Sequence, residues 1–133
     1  RETVGQSTAI IEGFSSCFYK VLDSIDQPIG QCDREIIISG TRIIFGLYEF
    51  ARAFEKGSDA STNEQFIYML TGKMNASVGG ETREIGAGDI VHVKKGASYS
   101  LKGSAGDEGA RYAVVRSTSH MEETVDNQPK EKS

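Results

Sequence analysis

Short apolar runs separated by glycine-containing turns fill the chain from Arg34 onward. The runs are rich in isoleucine, valine, phenylalanine and tyrosine, which favour strands, whereas the glycines between them favour turns. They recur roughly every 8–12 residues, which is the spacing of an all-β sandwich or barrel. We therefore predict an all-β domain with strands in these runs: REIIIS, TRIIFGLYEFARAF, EQFIYMLTG, KMNASV, TREIG, DIVHVKK, SYSLK and RYAVVRS.

Alternation within two of these runs predicts which side chains share a face of a strand. In EQFIYML, Gln65 shares one face with Ile67 and Met69. In a strand predicted over residues 41–54, apolar residues fall on both faces, so we expect both faces to be covered. The pattern leaves open whether the interior is lined by the face with Glu49 or by the opposite face, which carries Arg42, Tyr48 and Arg52.

The turns are expected to depend on glycine, because the chain has 15 glycines and only 2 prolines. Glycine adopts positive φ angles without steric penalty, which several tight turns require. Gly79 and Gly80 lie between two strand-like runs and predict a two-residue hairpin with a type I′ turn.

The two ends of the chain differ from its middle. Residues 1–33 are mixed and polar, and we interpret them as an N-terminal arm that could supply a strand for pairing two copies of the chain. Within this arm, residues 17–25 fit either a helical turn or a strand. The charged tail, residues 119–133, is expected to be poorly ordered. With 133 residues in all, the chain fits one domain, a barrel over residues 34–118.

Composition argues against several classes of protein. The net charge of -4 does not suit a general binder of nucleic acids or anionic membranes, because both require a basic face. The apolar runs are too short to span a membrane, so we expect a cytoplasmic protein. Cys17 and Cys32 are not in a CxxC arrangement, and we expect both to be reduced.

Two glycine-based motifs resemble those of the cupin superfamily, in its small single-domain form. In the first family motif, G(x)5HxH(x)3-4E(x)6G, Gln65 stands at the glutamate position and Gly72 follows after six residues. The second motif, G(x)5PxG(x)2H(x)3N, begins at Gly88 and includes Gly96. The resemblance covers about residues 35–116. It implies a cupin-type double-stranded β-helix, that is, a jelly-roll barrel of antiparallel strands, and a homodimer, since cupins of this size commonly dimerise.

The histidines of both motifs are replaced. Their positions fall on Asp59, Ser61 and Tyr99. A hydroxyl, a neutral phenol and the amide of Gln65 are poor substitutes for imidazole as ligands of a transition metal. Although the chain resembles a metal-binding family, we therefore expect it to bind no metal and no other cofactor.

The replaced positions could instead bind a small organic molecule. An inward arginine on the strand over residues 41–54 would pair with a carboxylate or phosphate group, whereas an outward one would lie in solvent. The candidate ligand-binding residues are Asp59, Ser61, Gln65, Arg42, Tyr48 and Arg52.

Tyr99 and His92 are the candidate catalytic residues. A phenol at the Tyr99 position could donate a proton or a hydrogen bond to a substrate, or it could fill the space that a metal leaves. His92 could act as a general base near neutral pH, or it could be a surface residue of its strand.

Three functions follow from these alternatives. The first is a metal-free or metal-poor cupin that binds a small organic ligand, such as a carboxylate, in the barrel. The second is a metal-independent isomerase, lyase or cyclase that uses Tyr99 and His92 as acid–base groups. The third is a structural or assembly protein.

Overall fold

The computed structural model describes residues 6–12 as a strand without side-chain detail, and residues 17–103 and 109–118 in full. These residues form ten strands and contain no helix, so none that could cross a membrane. The predicted tail, residues 119–133, lies outside the described residues. The strands are β1 (Gln6–Glu12), β2 (Asp33–Ser39), β3 (Ile43–Phe50), β4 (Phe54–Ser58), β5 (Gln65–Thr71), β6 (Lys73–Val78), β7 (Glu81–Gly86), β8 (Ile90–Val93), β9 (Tyr99–Gly103) and β10 (Ala110–Ser117).

The strands form two sheets that face each other. The larger sheet has the order β1-β2-β3-β10-β5-β8, and the smaller one has the order β4-β9-β6-β7. Every pairing except that of β1 with β2 is antiparallel. The prediction of an all-β jelly-roll barrel is therefore confirmed. The inner faces of the two sheets meet in a core that includes Phe50, Ile67, Met69, Met74, Ile85, Val93, Leu101, Tyr112 and Val114.

Alternation along β5 is as predicted. Gln65, Ile67 and Met69 are buried on the inner face, whereas Phe66 and Tyr68 are exposed on the outer face. The strand therefore directs Gln65 toward the interior of the barrel, because successive side chains point to opposite faces.

The prediction of one strand over residues 41–54 is wrong. The chain bends at residues 51–53, so that β3 belongs to the larger sheet and β4 to the smaller one. A residue far away in the sequence stabilises the bend, since the backbone N–H of Ala51 donates to Oδ1 of Asp33 at 2.8 Å. The bend thus carries the chain from one sheet to the other.

The N-terminal region pairs with its own barrel. β1 lies parallel to β2 at the edge of the larger sheet, and a parallel pair needs a long crossover connection. The described part of that crossover, residues 17–32, is neither helix nor strand, which differs from both readings of residues 17–25.

A buried ionic cluster holds the crossover against the outer face of the larger sheet. Glu49 is 4% exposed and accepts hydrogen bonds from Nε of Arg111 at 2.7 Å and Nε of Arg34 at 3.1 Å. The two arginines in turn donate to backbone carbonyls of the crossover, at Ile25 and Val21. The position of Glu49 settles the question that alternation left open, because it points outward and Tyr48 therefore points inward.

The turns use glycine as expected. Gly79 and Gly80 have φ angles of 58° and 91° and close the two-residue hairpin between β6 and β7. The three motif glycines that the resemblance identified, Gly72, Gly88 and Gly96, also have positive φ angles. The backbone conformation at these three motif positions therefore favours glycine.

Candidate functional site

A small cavity of about 110 Å³ lies between the two sheets, inside the barrel. Its apolar wall consists of Ile67, Leu101 and Val114, all of which belong to the core. Its polar wall brings together residues from six strands. Two tyrosines and a glutamine predicted from the sequence, Tyr48, Tyr99 and Gln65, are among them.

Buried phenols line the cavity. The rings of Tyr48 and Tyr112 stack with their centroids 5.3 Å apart. Burial raises the pKa of both hydroxyls, and for Tyr48 the nearby carboxylate of Glu35, to which it hydrogen-bonds, raises the pKa further. Both phenols are therefore neutral around pH 7 and act as hydrogen-bond donors toward the carboxylate or a ligand.

Positive charge exceeds negative charge around the cavity. Its charged lining residues are Glu35, Lys56 and Arg116, which are two cations and one anion. Glu35 is the hydrogen-bond partner of Tyr48, and the ammonium group of Lys56 lies 5.7 Å from the centroid of the Phe50 ring. Among the residues that the structure describes, none forms a hydrogen bond or ion pair with the half-buried guanidinium of Arg116. The cavity therefore suits an anionic group.

Gln65 is fixed by its neighbours at the end of the cavity. Its Nε2 lies 3.3 Å from Oγ of Ser61, and that hydroxyl donates to the backbone carbonyl of Asn63 at 2.6 Å. Ser61 is itself anchored, because its N–H donates to the carbonyl of Ala97 and its carbonyl accepts from the N–H of Gly96. The turn between β8 and β9 thus positions the amide of Gln65.

These residues do not fit the metal that the resemblance would imply. Gln65 offers a neutral amide whose nitrogen is turned to Ser61, and Tyr99 offers a phenol. Within the described ranges, no three histidine, cysteine, aspartate or glutamate side chains gather in a group that could hold a metal ion. A transition metal prefers imidazole, thiolate or several carboxylates, so we derive no chemistry through a metal at this position.

The other predicted residues lie elsewhere. Asp59 is exposed and borders an open groove of about 640 Å³, which shares Tyr99 and Lys56 with the cavity. Arg42 and Arg52 are exposed, next to either end of β3, and neither lines the cavity. The structure therefore brings together Gln65, Tyr48 and Tyr99, with Ser61 behind Gln65, and keeps both of these arginines apart from them.

His92 lies on the opposite side of the larger sheet from the cavity. Its ring stacks on that of Phe66 with the centroids 4.4 Å apart, and its Nε2 lies 2.6 Å from Oε2 of Glu64. Tyr99 faces the interior of the barrel. The structure thus does not place the two candidate catalytic residues in one site.

Four polar residues of the cavity were missed from the sequence: Glu35, Lys56, Tyr112 and Arg116. In β10 the alternation of Tyr112, Val114 and Arg116 was a usable signal. It was hidden because Ala113 and Val115 make the other face of the strand apolar as well.

Comparisons with known proteins agree with this fold. The cupin domain family (Cupin_2) matches residues 49–116. A cupin 2 conserved barrel domain protein from Salinispora arenicola superposes with a TM-score of 0.62 at 15% identity, over 86% of this chain and 99% of that one. KdgF from Halomonas sp. gives 0.56 at 16% identity, over 68% and 83% of the two chains. The polyketide cyclase RemF from Streptomyces resistomycificus gives 0.55 at 20% identity, over 69% of each chain.

A search of curated proteins gave no match. The structural likenesses, all at low identity, show the fold and leave the activity open. The family match, however, extends over more than half of the chain and ends one residue before the end of β10. The barrel, the motif glycines and this match together show that the chain belongs to the cupin family.

Proposed function

We propose that the protein binds a small organic acid in the barrel cavity without a metal. The observation that carries this proposal is the half-buried guanidinium of Arg116, which lines the cavity with no ion-pair partner among the described residues. A guanidinium binds a carboxylate through two parallel hydrogen bonds, and low surrounding polarity strengthens such a pair. Lys56 adds a second positive charge on the same cavity.

The volume of the cavity limits the ligand. Cavities for drug-sized molecules measure about 300–1,000 Å³, and this one measures about 110 Å³. An apolar cavity of about 150 Å³ holds a benzene molecule. The ligand that fits here therefore has roughly six non-hydrogen atoms or fewer.

One of the similar structures supports small-molecule chemistry in general terms, since it is a polyketide cyclase with the same barrel fold. The acid–base alternative has less support in this chain. Tyr99 faces the cavity, but His92 lies on the outer side of the larger sheet, so that the pair has no common substrate position.

Replacing Arg116 with methionine is expected to weaken the binding of propionate about 10- to 100-fold, because the variant loses a hydrogen bond to a charged group. Methionine keeps the length of the side chain and removes the charge. NMR titration of the ¹⁵N-labelled protein, in which amide chemical shifts are monitored, gives the dissociation constant and locates the site. For so small a ligand this constant is expected in the millimolar range.

Arg42→Met serves as the matched control, because Arg42 is exposed and does not line the cavity. It should bind propionate like the unmodified protein, with shifts in β5 and β10. Equal affinities of the Arg116→Met and unmodified proteins would count against the proposal, as would shifts confined to residues outside the cavity.

A second proposal concerns assembly, and it rests on an exposed apolar surface. The outer apolar patch is the group of large apolar side chains on the outer face of the larger sheet that are 42–61% exposed. Multiplying these exposed fractions by the full surface areas of the five side chains gives an exposed apolar area of roughly 450 Å². A standard interface buries about 800 Å² per partner, of which somewhat more than half is apolar. The patch consists of Ile43, Phe66, Tyr68, Ile90 and Val115.

The area of the outer apolar patch thus matches the apolar share of one half of a standard interface. We propose that a second copy of this chain covers the patch and forms the homodimer that we expected from the resemblance. A two-fold dimer brings the same patch of both copies together, so no further surface is needed.

Phe66→Glu is expected to convert a dimer to a monomer, because it places a charge in the centre of the buried patch. Light scattering coupled to size-exclusion chromatography measures the mass directly. Thr82→Glu, a change at an exposed position of the smaller sheet, is the control and should leave the mass unchanged. A monomeric unmodified protein at high micromolar concentration would refute the dimer.

A further inference from the structure

The orientation of the Gln65 amide follows from its hydrogen bonds. The hydroxyl hydrogen of Ser61 is directed to the carbonyl of Asn63, at 2.6 Å. Oγ of Ser61 can therefore only accept from Gln65, so the amide NH₂ and not the amide oxygen faces it.

The amide oxygen of Gln65 is then the group left for the cavity. Gln65 is 9% exposed and lines the cavity wall. Within the described part of the chain, its side chain has one hydrogen bond, the one to Ser61, so that Oε1 has no protein donor. Oε1 is not among the fully buried atoms that lack a partner, and with no described donor it is open to solvent in the free protein. A ligand that displaces water from this oxygen must bring a donor to it, because an acceptor that loses its water without gaining a new donor is unfavourable.

Gln65 and Arg116 are neighbours, and this restricts where the donor lies on the ligand. The two residues are directly opposite each other on β5 and β10, and both line the cavity. Side chains at such positions start about 4.5–5.5 Å apart. A carboxylate held by Arg116 therefore places the next carbon of the ligand near Gln65.

The donor on that carbon is better a hydroxyl than an ammonium group. The cavity already carries two cations, Lys56 and Arg116, against the single carboxylate of Glu35. A ligand ammonium would add a third positive charge within a few ångströms, where like charges repel strongly in surroundings of low polarity. A neutral hydroxyl gives the same hydrogen bond without that repulsion.

We infer that the ligands of the cavity are short 2-hydroxy acids and that Gln65 selects them over plain acids by accepting a hydrogen bond from the hydroxyl. This inference rests on the proposed function, since it takes Arg116 as the carboxylate group's partner. Gln65 thus serves a specificity role at the position where the family motif has a glutamate, and Ser61, at a histidine position of the motif, orients it.

The experiment compares propionate with the two enantiomers of lactate, which differ from it by one hydroxyl. Titration of the labelled full chain should show that one enantiomer binds roughly five- to tenfold more tightly than propionate, the effect of one neutral hydrogen bond. Gln65→Met, which has nearly the same shape, should bind lactate and propionate alike while its affinity for propionate stays within about twofold.

Ser61→Ala provides a second variant that keeps Gln65 in place. Loss of the Ser61 acceptor frees the amide to rotate, so the preference for lactate should fall while propionate binding persists. Ser77→Ala, on the outer face of the smaller sheet, is the control and should keep the full preference. If the preference is unchanged in both Gln65→Met and Ser61→Ala, the selection by Gln65 is refuted.

The comparison in the unmodified protein is decisive even if a variant does not fold. Equal binding of lactate and propionate would overturn this inference and leave the proposed acid-binding function standing. Failure of every acid to bind would overturn both.

Discussion

Glu49→Leu is expected to lower the free energy of unfolding by about 3–5 kcal/mol, because it leaves the buried guanidinium of Arg111 without its partner. Arg111 is fully buried, and its Nε donates to Glu49 at 2.7 Å. Its terminal nitrogen Nη2 already has no hydrogen-bond partner among the described residues. Urea denaturation followed by circular dichroism measures the loss, which is a large part of the stability of an ordinary domain.

Two further variants separate burial of the charge from loss of the contact. In Glu49→Leu combined with Arg111→Met, both charges are gone and much of the stability should return, since apolar pairs often replace buried ion pairs without loss. Glu55→Leu is the exposed control. Its partner Lys102 lies 3.9 Å away in solvent, so the change should cost less than about 1 kcal/mol. A double variant no more stable than Glu49→Leu would contradict the role given to the buried charge.

The fold could be predicted from the sequence where local chemistry decides it. Alternation in EQFIYML identified the inner face of β5, and paired glycines identified the hairpin at Gly79 and Gly80. The split of residues 41–54 into β3 and β4 could not be predicted in this way. No glycine or proline marks the bend, and the backbone N–H of Ala51 in the bend donates to the carboxylate of Asp33, which is 18 residues away in the chain.

The residues of the candidate site also fall into those that the sequence predicted and those that it missed. Gln65 and Tyr99 were found because motif spacing links them to glycines that the backbone requires. Arg116 and Lys56 were missed because their strands have no motif, and only the meeting of two sheets brings them to one cavity. His92 shows the limit of alternation, which separates it from Val93 but does not say which face is inward. The full burial of Val93 decides that.

Gly72→Ala is expected to lower the free energy of unfolding by about 3–5 kcal/mol, the sum of backbone strain and overpacking. Gly72 has a φ angle of 83°, which side-chain-bearing residues rarely adopt. A Cβ at this position would collide with the carbonyl oxygen of Gly109. Because that atom belongs to the backbone at the start of β10, it cannot move away without shifting the strand. Chemical denaturation gives the size of the loss.

Gly88→Ala is the matched control, since it isolates the strain from the collision. Gly88 has a φ angle of 95°, similar to that of Gly72, but a Cβ there would meet no atom within 4 Å. The free energy of unfolding of this control should fall by only about 1–2 kcal/mol, which is the cost of an unfavourable φ angle alone. The difference between the two variants then measures how closely the chain at Gly72 approaches β10, beside the β-bulge that shifts the register of β5 and β10. Equal losses in the two variants would show that conformation alone explains why the first motif ends in glycine, and that the contact with Gly109 does not.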